Sequence, residues 1–437
     1  MAASLRVYRP FIILLLLMAA LQACKKDKLK KPPPLPPYVP VVAAITSLSV
    51  NSGPYNTLVT INGSLFGNDV TGVSVFFNGK AAKLLSATDN RITAIVPLNA
   101  GTGKVTVSVA DGSTATGPVF TYIPTLLVST YAGFNGQGIF DSKGEKLGFY
   151  SLRDLTIDAS GNIYTTDTDA NTLEKIDASG NATLYWGTNH DINVPAIDHP
   201  YKITTDVTNN VYVVDYTYYG SGRIRKISPD GANSMIAVQG RGIYDPALYD
   251  IGHITGIVVD PQGTIFVATS YDIRKVTEEG VITIIAGGNI GYKDGAGSVA
   301  RFENLNGLTI DKNGNLFTID NRRIRKITKD GVVSTFAGSE TGGAKDGVGT
   351  QATFEAPLAL AADSKGNIFV ADPGNHLIRK ITPNRVVTTF AGTGKEGSTD
   401  GALQNASFSA TWGATVDAAD ILYISEGSGL IRKIGWQ

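Results

Sequence analysis

The stretch "VADPGNHLIRKIT" (residues 370–382) joins two apolar runs through a polar bend, and its second run recurs along the chain. The segment IRKI at 378–381 has five counterparts, and successive copies lie 49 to 54 residues apart. The counterparts are LEKI (173–176), IRKI (224–227), IRKV (273–276), IRKI (324–327) and IRKI (431–434). This period predicts that one supersecondary unit is repeated six times.

Other positions are also fixed within the unit. An aspartate ends the first apolar run of every repeat, at Asp158, Asp206, Asp260, Asp311, Asp363 and Asp417. The following turn needs a residue that tolerates a left-handed backbone, and this slot holds Gly161, Asn209, Gly263, Gly314, Gly366 and Asp420. Each repeat then contains four short apolar runs. Four-stranded units of about 50 residues, repeated radially, predict a β-propeller.

The two ends of the repeat region predict how the ring closes. The last repeat stops at "IRKIGWQ" (431–437) and lacks a fourth strand, whereas "LVSTYAG" (127–133) precedes the first repeat and matches "VVSTFAG" (332–338). We expect this N-terminal strand to complete the sixth blade and so remove an open edge. The letters NHL at 375–377, ahead of IRKIT, resemble the signature of NHL-repeat propellers, and this resemblance covers 127–437.

Residues 43–123 form a separate segment of short alternating strands with Gly, Asn and Asp between them. Turns at this spacing predict an antiparallel sandwich. The stretches "VTINGSLFG" (59–67), "VSVFFNG" (73–79), "ITAIVP" (92–97) and "GTGKVTVSV" (101–109) resemble the IPT/TIG immunoglobulin-like domain. The expected fold class is therefore all-β, with an Ig-like β-sandwich followed by a six-bladed β-propeller.

The N-terminus predicts export and lipid attachment. Residues 1–24 contain Arg6 and Arg9, an apolar core, and "LQAC" (21–24), which resembles the lipobox of bacterial lipoproteins. Cys24 is the chain's single cysteine, and the resemblance implies that it is lipidated. A Lys- and Pro-rich tether follows at 25–42. Lys25 after the cysteine favours the outer membrane, with the protein facing the periplasm or the cell surface.

Composition and motifs exclude several classes of function. Among 437 residues, 38 basic and 38 acidic side chains balance, which argues against a nucleic-acid partner. The sequence contains no G-x-S-x-G elbow and no P-loop. Its histidines lack metal-ligand spacing and occupy different repeat positions, at His190, His199, His253 and His376. No catalytic or metal-ligating residues are therefore predicted, and His376 is interpreted as a turn residue.

The candidate binding residues lie in loops that emerge on one face of the disc. Three Gly-rich loops repeat a DG dipeptide, at Asp294, Asp346 and Asp400. A repeated Asp-Gly is typical of a structural turn. The alternative is that these carboxylates bind calcium as a cofactor. The second repeat has a longer bend with clustered tyrosines, and other tyrosines lie in nearby loops. These residues, which suit stacking on sugars or a protein hot spot, are Tyr216, Tyr218, Tyr219, Tyr244 and Tyr292.

These features favour a membrane-anchored binding or scaffold protein whose loop face binds a glycan or a protein partner. The alternative is a propeller enzyme, a lyase or lactonase-type hydrolase with its site at the mouth of the central channel. Convergent acids around a metal would favour the enzyme, and an exposed aromatic patch would favour binding.

Overall fold

The computed structural model describes residues 42–133, 149–187, 197–216, 222–238 and 253–436. These residues are nearly all strand and turn, with short 3-10 turns at Val70–Gly72, Gly297–Val299, Gly349–Gln351 and Pro373–Asn375. Within them, no helix is long and apolar enough to cross a bilayer. The expected lipidation site Cys24 lies outside the described residues, as do Tyr218, Tyr219 and Tyr244.

The N-terminal segment is a sandwich of two sheets. Its nine strands are Ala44–Leu48 (β1), Ser52–Gly53 (β2), Leu58–Ser64 (β3), Ser74–Phe77 (β4), Lys80–Ala81 (β5), Lys83–Thr88 (β6), Arg91–Ile95 (β7), Gly103–Ser108 (β8) and Thr114–Tyr122 (β9). One sheet has the order β1-β3-β7-β6 and the other the order β2-β9-β8-β4-β5. Alternate residues of β3, Val59 and Ile61, are fully buried in the shared core, where Phe77 packs edge-on against Phe120.

The remaining strands form the repeat region. They are Leu126–Gly133 (β10), Leu152–Ile157 (β11), Ile163–Asp167 (β12), Thr172–Ile176 (β13), Ala182–Trp186 (β14), Lys202–Thr205 (β15), Val211–Tyr216 (β16), Gly222–Ile227 (β17), Asn233–Val238 (β18), Gly256–Val259 (β19), Ile265–Ala268 (β20), Asp272–Val276 (β21), Ile282–Gly287 (β22), Gly295–Ala296 (β23), Leu305–Ile310 (β24), Leu316–Asp320 (β25), Arg323–Ile327 (β26), Val332–Gly338 (β27), Gly347–Val348 (β28), Ala359–Ala362 (β29), Ile368–Asp372 (β30), Leu377–Ile381 (β31), Val386–Ala391 (β32), Gly401–Ala402 (β33), Thr411–Val416 (β34), Leu422–Glu426 (β35) and Leu430–Trp436 (β36).

These strands form antiparallel sheets in a propeller-like arrangement. Each repeat forms one sheet in chain order, such as β11-β12-β13-β14, and β10 pairs with β36 in the sheet of the last repeat. The first strands contact one another in the order β11, β15, β19, β24, β29 and β34, and β34 contacts β11. In the last three sheets, the Gly-rich loop adds a short fifth strand (β23, β28 or β33), which the sequence analysis did not predict.

The repeated aspartates cap turns, as their position predicts. In every repeat, one carboxylate oxygen of the aspartate accepts hydrogen bonds from the backbone N–H groups two and four residues later. The predicted left-handed slot is confirmed in each turn, with φ between 62° at Asp420 and 83° at Gly161. This pattern holds the two inner strands of each sheet in register.

The arginine of the IRK motif is an ion-paired structural residue. Arg325, Arg379 and Arg432 are fully buried between sheets. Each lies 2.7 to 2.8 Å from the aspartate of the preceding DG loop. Arg225 and Arg274 pair instead with carboxylates of their own sheets. Because an unpaired buried charge is strongly destabilising, these pairs are part of the scaffold.

Candidate functional site

A narrow channel of about 160 Å³ runs between the innermost strands. At its loop end, one position five residues before each repeated aspartate carries a different residue in every repeat. The six residues are Arg153, Tyr201, Thr255, Asn306, Leu358 and Trp412. Because this position differs in every repeat while the aspartate five residues later is constant, its side chains are candidates for a function that occurs once in the molecule.

β-Bulges set the direction of two of these side chains. The pairing of β11 with β12 shifts between Leu152 and Leu155, and the pairing of β34 with β35 shifts between Thr411 and Gly413. Arg153 and Trp412 therefore lie inside bulges on neighbouring innermost strands. Bulges redirect side chains and are frequent beside functional sites.

The two redirected side chains stack on each other. The guanidinium carbon of Arg153 lies 4.3 Å from the centroid of the Trp412 ring, which is a cation–π distance. One glycine makes room for Trp412, and a second makes room for Asp154, the residue after Arg153. A Cβ added to Gly427 would lie 2.7 Å from Nε1 of Trp412, and one added to Gly413 would lie 2.6 Å from Oδ1 of Asp154.

An ion pair lies one residue deeper in the channel. Nζ of Lys202 is 3.8 Å from Oδ2 of Asp154, and both side chains line the channel wall. Burial raises the pKa of Asp154, although the Lys202 ammonium and the Ile203 N–H oppose that rise. The other wall residues are small, apolar or threonine, so this pair carries the charge of the channel lining.

An aromatic cluster lies at the mouth of the channel, next to Lys202. The ring of Tyr216 stacks on His253 at 5.2 Å, and Tyr201 contacts both rings at 6.0 and 6.2 Å. The Tyr216 hydroxyl donates to the carbonyl of Ile254 at 2.6 Å, and burial raises its pKa. Burial also lowers the pKa of His253, so its imidazole is neutral at pH 7. We call the contiguous set Trp412, Arg153, Asp154, Lys202, Tyr201, Tyr216 and His253 the mouth arc.

A polar cleft of about 470 Å³ opens between the fourth and fifth repeats, which do not contribute to the mouth arc. Its lining includes the mouth residues Asn306 and Leu358. It also holds charged side chains that pair with each other: Arg322 with Glu355 at 3.2 Å, and Arg323 with Glu303 at 3.0 Å. The cleft offers amide and carboxylate groups for polar ligands, with its arginines already in ion pairs.

The sequence-predicted binding residues that the structure describes do not form a single cluster. Asp294, Asp346 and Asp400 lie in three different repeats, and each binds a buried arginine. Tyr292 lies 4.0 Å from the Arg323 guanidinium, and its hydroxyl bonds to Thr335. Tyr216 joins the mouth arc. The placements of Tyr218, Tyr219 and Tyr244 lie outside the described residues.

The first repeat carries a buried carboxylate where the other five carry arginine. Glu174 is buried, and its carboxylate accepts hydrogen bonds from the hydroxyls of Thr172 and Thr165. Burial first, and then the nearby Asp167 carboxylate, raise the pKa of Glu174 to about 8. Within the described residues, neither acid forms an ion pair. No cluster there contains three or more potential metal-ligating side chains.

Comparisons with known proteins support the two-part architecture. Residues 43–122 match the IPT/TIG domain. NHL repeat-containing protein 2 of Gallus gallus is 40% identical over 95 residues, which is 21% of this chain and 13% of that protein. The chain spans about a tenth of the length of the curated relatives that it matches. The chain therefore combines a segment that matches the IPT/TIG domain with repeats similar to those of NHL repeat-containing proteins.

Two solved structures share the fold over most of both chains. An auxiliary nutrient binding protein from Bacteroides ovatus has a TM-score of 0.63 and 20% identity, and it covers 90% of this chain and 98% of its own. A protein of the same description from Bacteroides thetaiotaomicron has a TM-score of 0.62 and 17% identity, with 90% and 97% covered. At this identity the likeness shows the fold.

Proposed function

We propose that this chain is an extracytoplasmic binding lipoprotein that holds a ligand at the mouth arc. In this proposal Cys24 carries the lipid at the outer membrane and residues 25–42 form the tether. Residues 43–123 are a spacer domain. Residues 127–437 form a six-bladed propeller that the N-terminal strand β10 closes, and its loop face meets a glycan or a protein partner.

The observation that carries the proposal is the mouth arc itself. Six equivalent positions of a repeated scaffold hold six different side chains, and four neighbouring repeats contribute to one contiguous polar and aromatic surface. Half-buried aromatic rings beside charged groups suit a sugar, whose apolar face stacks while its hydroxyls bond. Among ligands, a glycan fits this surface best.

The structural neighbours are consistent with this proposal. Two proteins described as nutrient binding share the fold across nearly their whole length. Extending that description to this chain is part of the proposal, because fold alone does not fix function.

The melting temperature of the full-length chain in detergent, measured against a panel of oligosaccharides, calcium, zinc and EDTA, tests the proposal. A ligand at 100 times its Kd adds about 2.7 kcal/mol of stability. We expect a shift with a saccharide that Tyr201→Ala abolishes and that Tyr55→Ala, an exposed tyrosine of the sandwich domain, leaves intact. A panel without any saccharide response would contradict the glycan and favour a protein partner.

Membrane attachment is tested separately. In a bacterial host, the wild-type chain should incorporate labelled palmitate and pellet with outer membranes. Cys24→Ser should do neither, because a multiply acylated cysteine is the proposed anchor. A C24S chain that still pellets with outer membranes after a carbonate wash would contradict lipid anchoring at this residue.

The ion pair Asp154–Lys202 favours the enzyme as the second candidate. A buried acid with a raised pKa beside an amine in a channel is an arrangement that proton-transfer enzymes use. A zinc- or calcium-dependent melting shift without a saccharide response, together with hydrolysis of a lactone that Asp154→Asn abolishes, would support a lyase or lactonase-type activity.

A further inference from the structure

Arg153 differs from the other arginines that line the sheets. Arg225, Arg274, Arg325, Arg379 and Arg432 each lie within 3.0 Å of a carboxylate oxygen. In the described structure, the Arg153 guanidinium has neither a carboxylate partner nor a hydrogen bond, and its Nε is buried without an acceptor. Its contact is the face of Trp412. A guanidinium without a counter-ion at a binding mouth is available for an anion.

The surroundings hold this cation in place. The bulges in β11 and β34 bring Arg153 and Trp412 together. Gly427 leaves space against the indole, where any larger residue would collide with Nε1. Stacking on an aromatic ring fixes the plane of a guanidinium and so reduces the entropy lost when it binds. The group is therefore preorganised rather than a flexible surface charge.

Among the residues that the structure describes, the neighbouring charges do not neutralise it. Asp154, the next residue, is directed to the channel, where it pairs with Lys202 at 3.8 Å and accepts from the Ile203 N–H at 3.4 Å. The Asp154–Lys202 pair carries no net charge when both groups are ionised. The guanidinium of Arg153 therefore gives the mouth arc a positive net charge. Because burial raises the Asp154 pKa, protonation would make the mouth more positive still.

We infer that the ligand of the mouth arc is an acidic saccharide, and that Arg153 binds its carboxylate while Trp412 and Tyr201 contact the sugar rings. This inference rests on the proposed function and names the chemical class of its ligand. A uronic acid unit carries a planar carboxylate, which the planar guanidinium fork fits better than a point charge would.

Isothermal titration of the full-length chain with trigalacturonic acid and with its methyl ester tests the inference. The two probes share rings and hydroxyls and differ in charge. We expect the acid to bind at least about tenfold more tightly, and Arg153→Gln to remove that preference while changing the ester's affinity less than twofold. Arg153→Lys should restore little, because lysine lacks the fork. Arg301→Gln, which removes an exposed arginine elsewhere on the loop face, is the matched control and should keep the preference.

The outcomes separate this inference from the proposed function. Equal binding of acid and ester, or an acid preference that survives in R153Q, would overturn the carboxylate assignment and leave a glycan-binding mouth standing. Inorganic phosphate that competes as strongly as trigalacturonic acid would also overturn it, since the site would then take any oxyanion. Failure of every acidic and neutral saccharide to bind the wild-type chain would overturn both. If R153Q is unfolded by circular dichroism, the acid-to-ester ratio of R153K decides.

Discussion

Nη2 of Arg379 lies 2.7 Å from Oδ1 of Asp346, which belongs to the Gly-rich loop ahead of the same repeat. The arginine is fully buried, and its other contacts are the carbonyls of Thr353 and Lys345. Asp346 therefore fastens its loop to the sheet, and the same bond recurs between Asp400 and Arg432. This relationship gives the repeated DG dipeptide a structural role in each repeat.

Asp346→Asn should destabilise the fold, because the buried guanidinium loses its ion-pair partner. The carboxylate is half exposed, so we expect about 2 kcal/mol rather than the 3–5 kcal/mol typical of fully buried pairs. Urea unfolding checks this value. Asp330→Asn, at an exposed aspartate without a bonded partner in the described structure, should change stability by less than about 0.5 kcal/mol.

The Asp346→Asn variant also tests whether Asp346 binds calcium. If Asp346 were a calcium ligand, calcium would raise the melting temperature of the wild-type chain and not that of D346N. Since the arginine already occupies this carboxylate, we expect calcium to shift the two proteins equally. A calcium shift specific to the wild-type chain would contradict the structural role.

Glu174 makes stability depend on pH in a defined direction. Its folded pKa of about 8 lies above the ordinary value of 4.5, so the folded state holds a proton that the unfolded state releases between these values. The chain therefore loses stability as pH rises from about 4.5 to about 8, by an amount on the order of a few kcal/mol. Glu174→Gln removes this loss.

Urea titrations at several pH values should show Glu174→Gln matching the wild-type chain near pH 4.5 and exceeding its stability near pH 8. Glu396→Gln, at an exposed glutamate, is the matched control and should follow the wild-type curve throughout. Parallel curves for E174Q and the wild-type chain would show that Glu174 ionises normally in the fold.

Much of the fold was predictable because its determinants are local. The aspartate caps and the left-handed turn residues act within four residues of sequence, and they recur, so chance similarity is excluded. The fifth strands were missed because Gly295–Ala296 and its equivalents are two residues long and pair with strands that are distant from them in sequence. No local pattern marks such a pairing.

The candidate site was less predictable, because its contacts also join residues that are distant in sequence. Tyr216 was singled out from its loop, but its contacts with Tyr201 and His253 join residues 15 and 37 positions apart. The bulges that redirect Arg153 and Trp412 depend on the pairing of whole strands. The sequence signal for this site is the position five residues before each repeated aspartate, which differs in every repeat. That difference marks Arg153, Tyr201 and Trp412.

The role of β10 in the repeat region is tested by a core substitution. Val128 is buried, belongs to the hydrophobic cluster of the last two repeats and pairs with Ile434. Val128→Ala should cost about 2 kcal/mol, because it removes two buried methyl groups from that cluster. Val332→Ala makes the same change at an exposed strand position and should cost less than about 0.5 kcal/mol. Equal values in urea unfolding would contradict the packing of this strand in the folded repeat region.

His376 is interpreted from the sequence as a turn residue, and its backbone conformation agrees with that role. Its φ is 53° and its ψ is 38°, and its N–H donates to the carbonyl of Pro373. Asn171 and Gly429 occupy the equivalent position with φ of 58° and 81°.

We therefore expect His376→Asn and His376→Gly to keep both stability and ligand binding. His376→Val should lose about 1–2 kcal/mol, because a β-branched residue is strained in the left-handed region. Thermal melts of the three variants decide the matter: equal losses in H376N and H376V would show that the imidazole, and not the turn, is what this position requires.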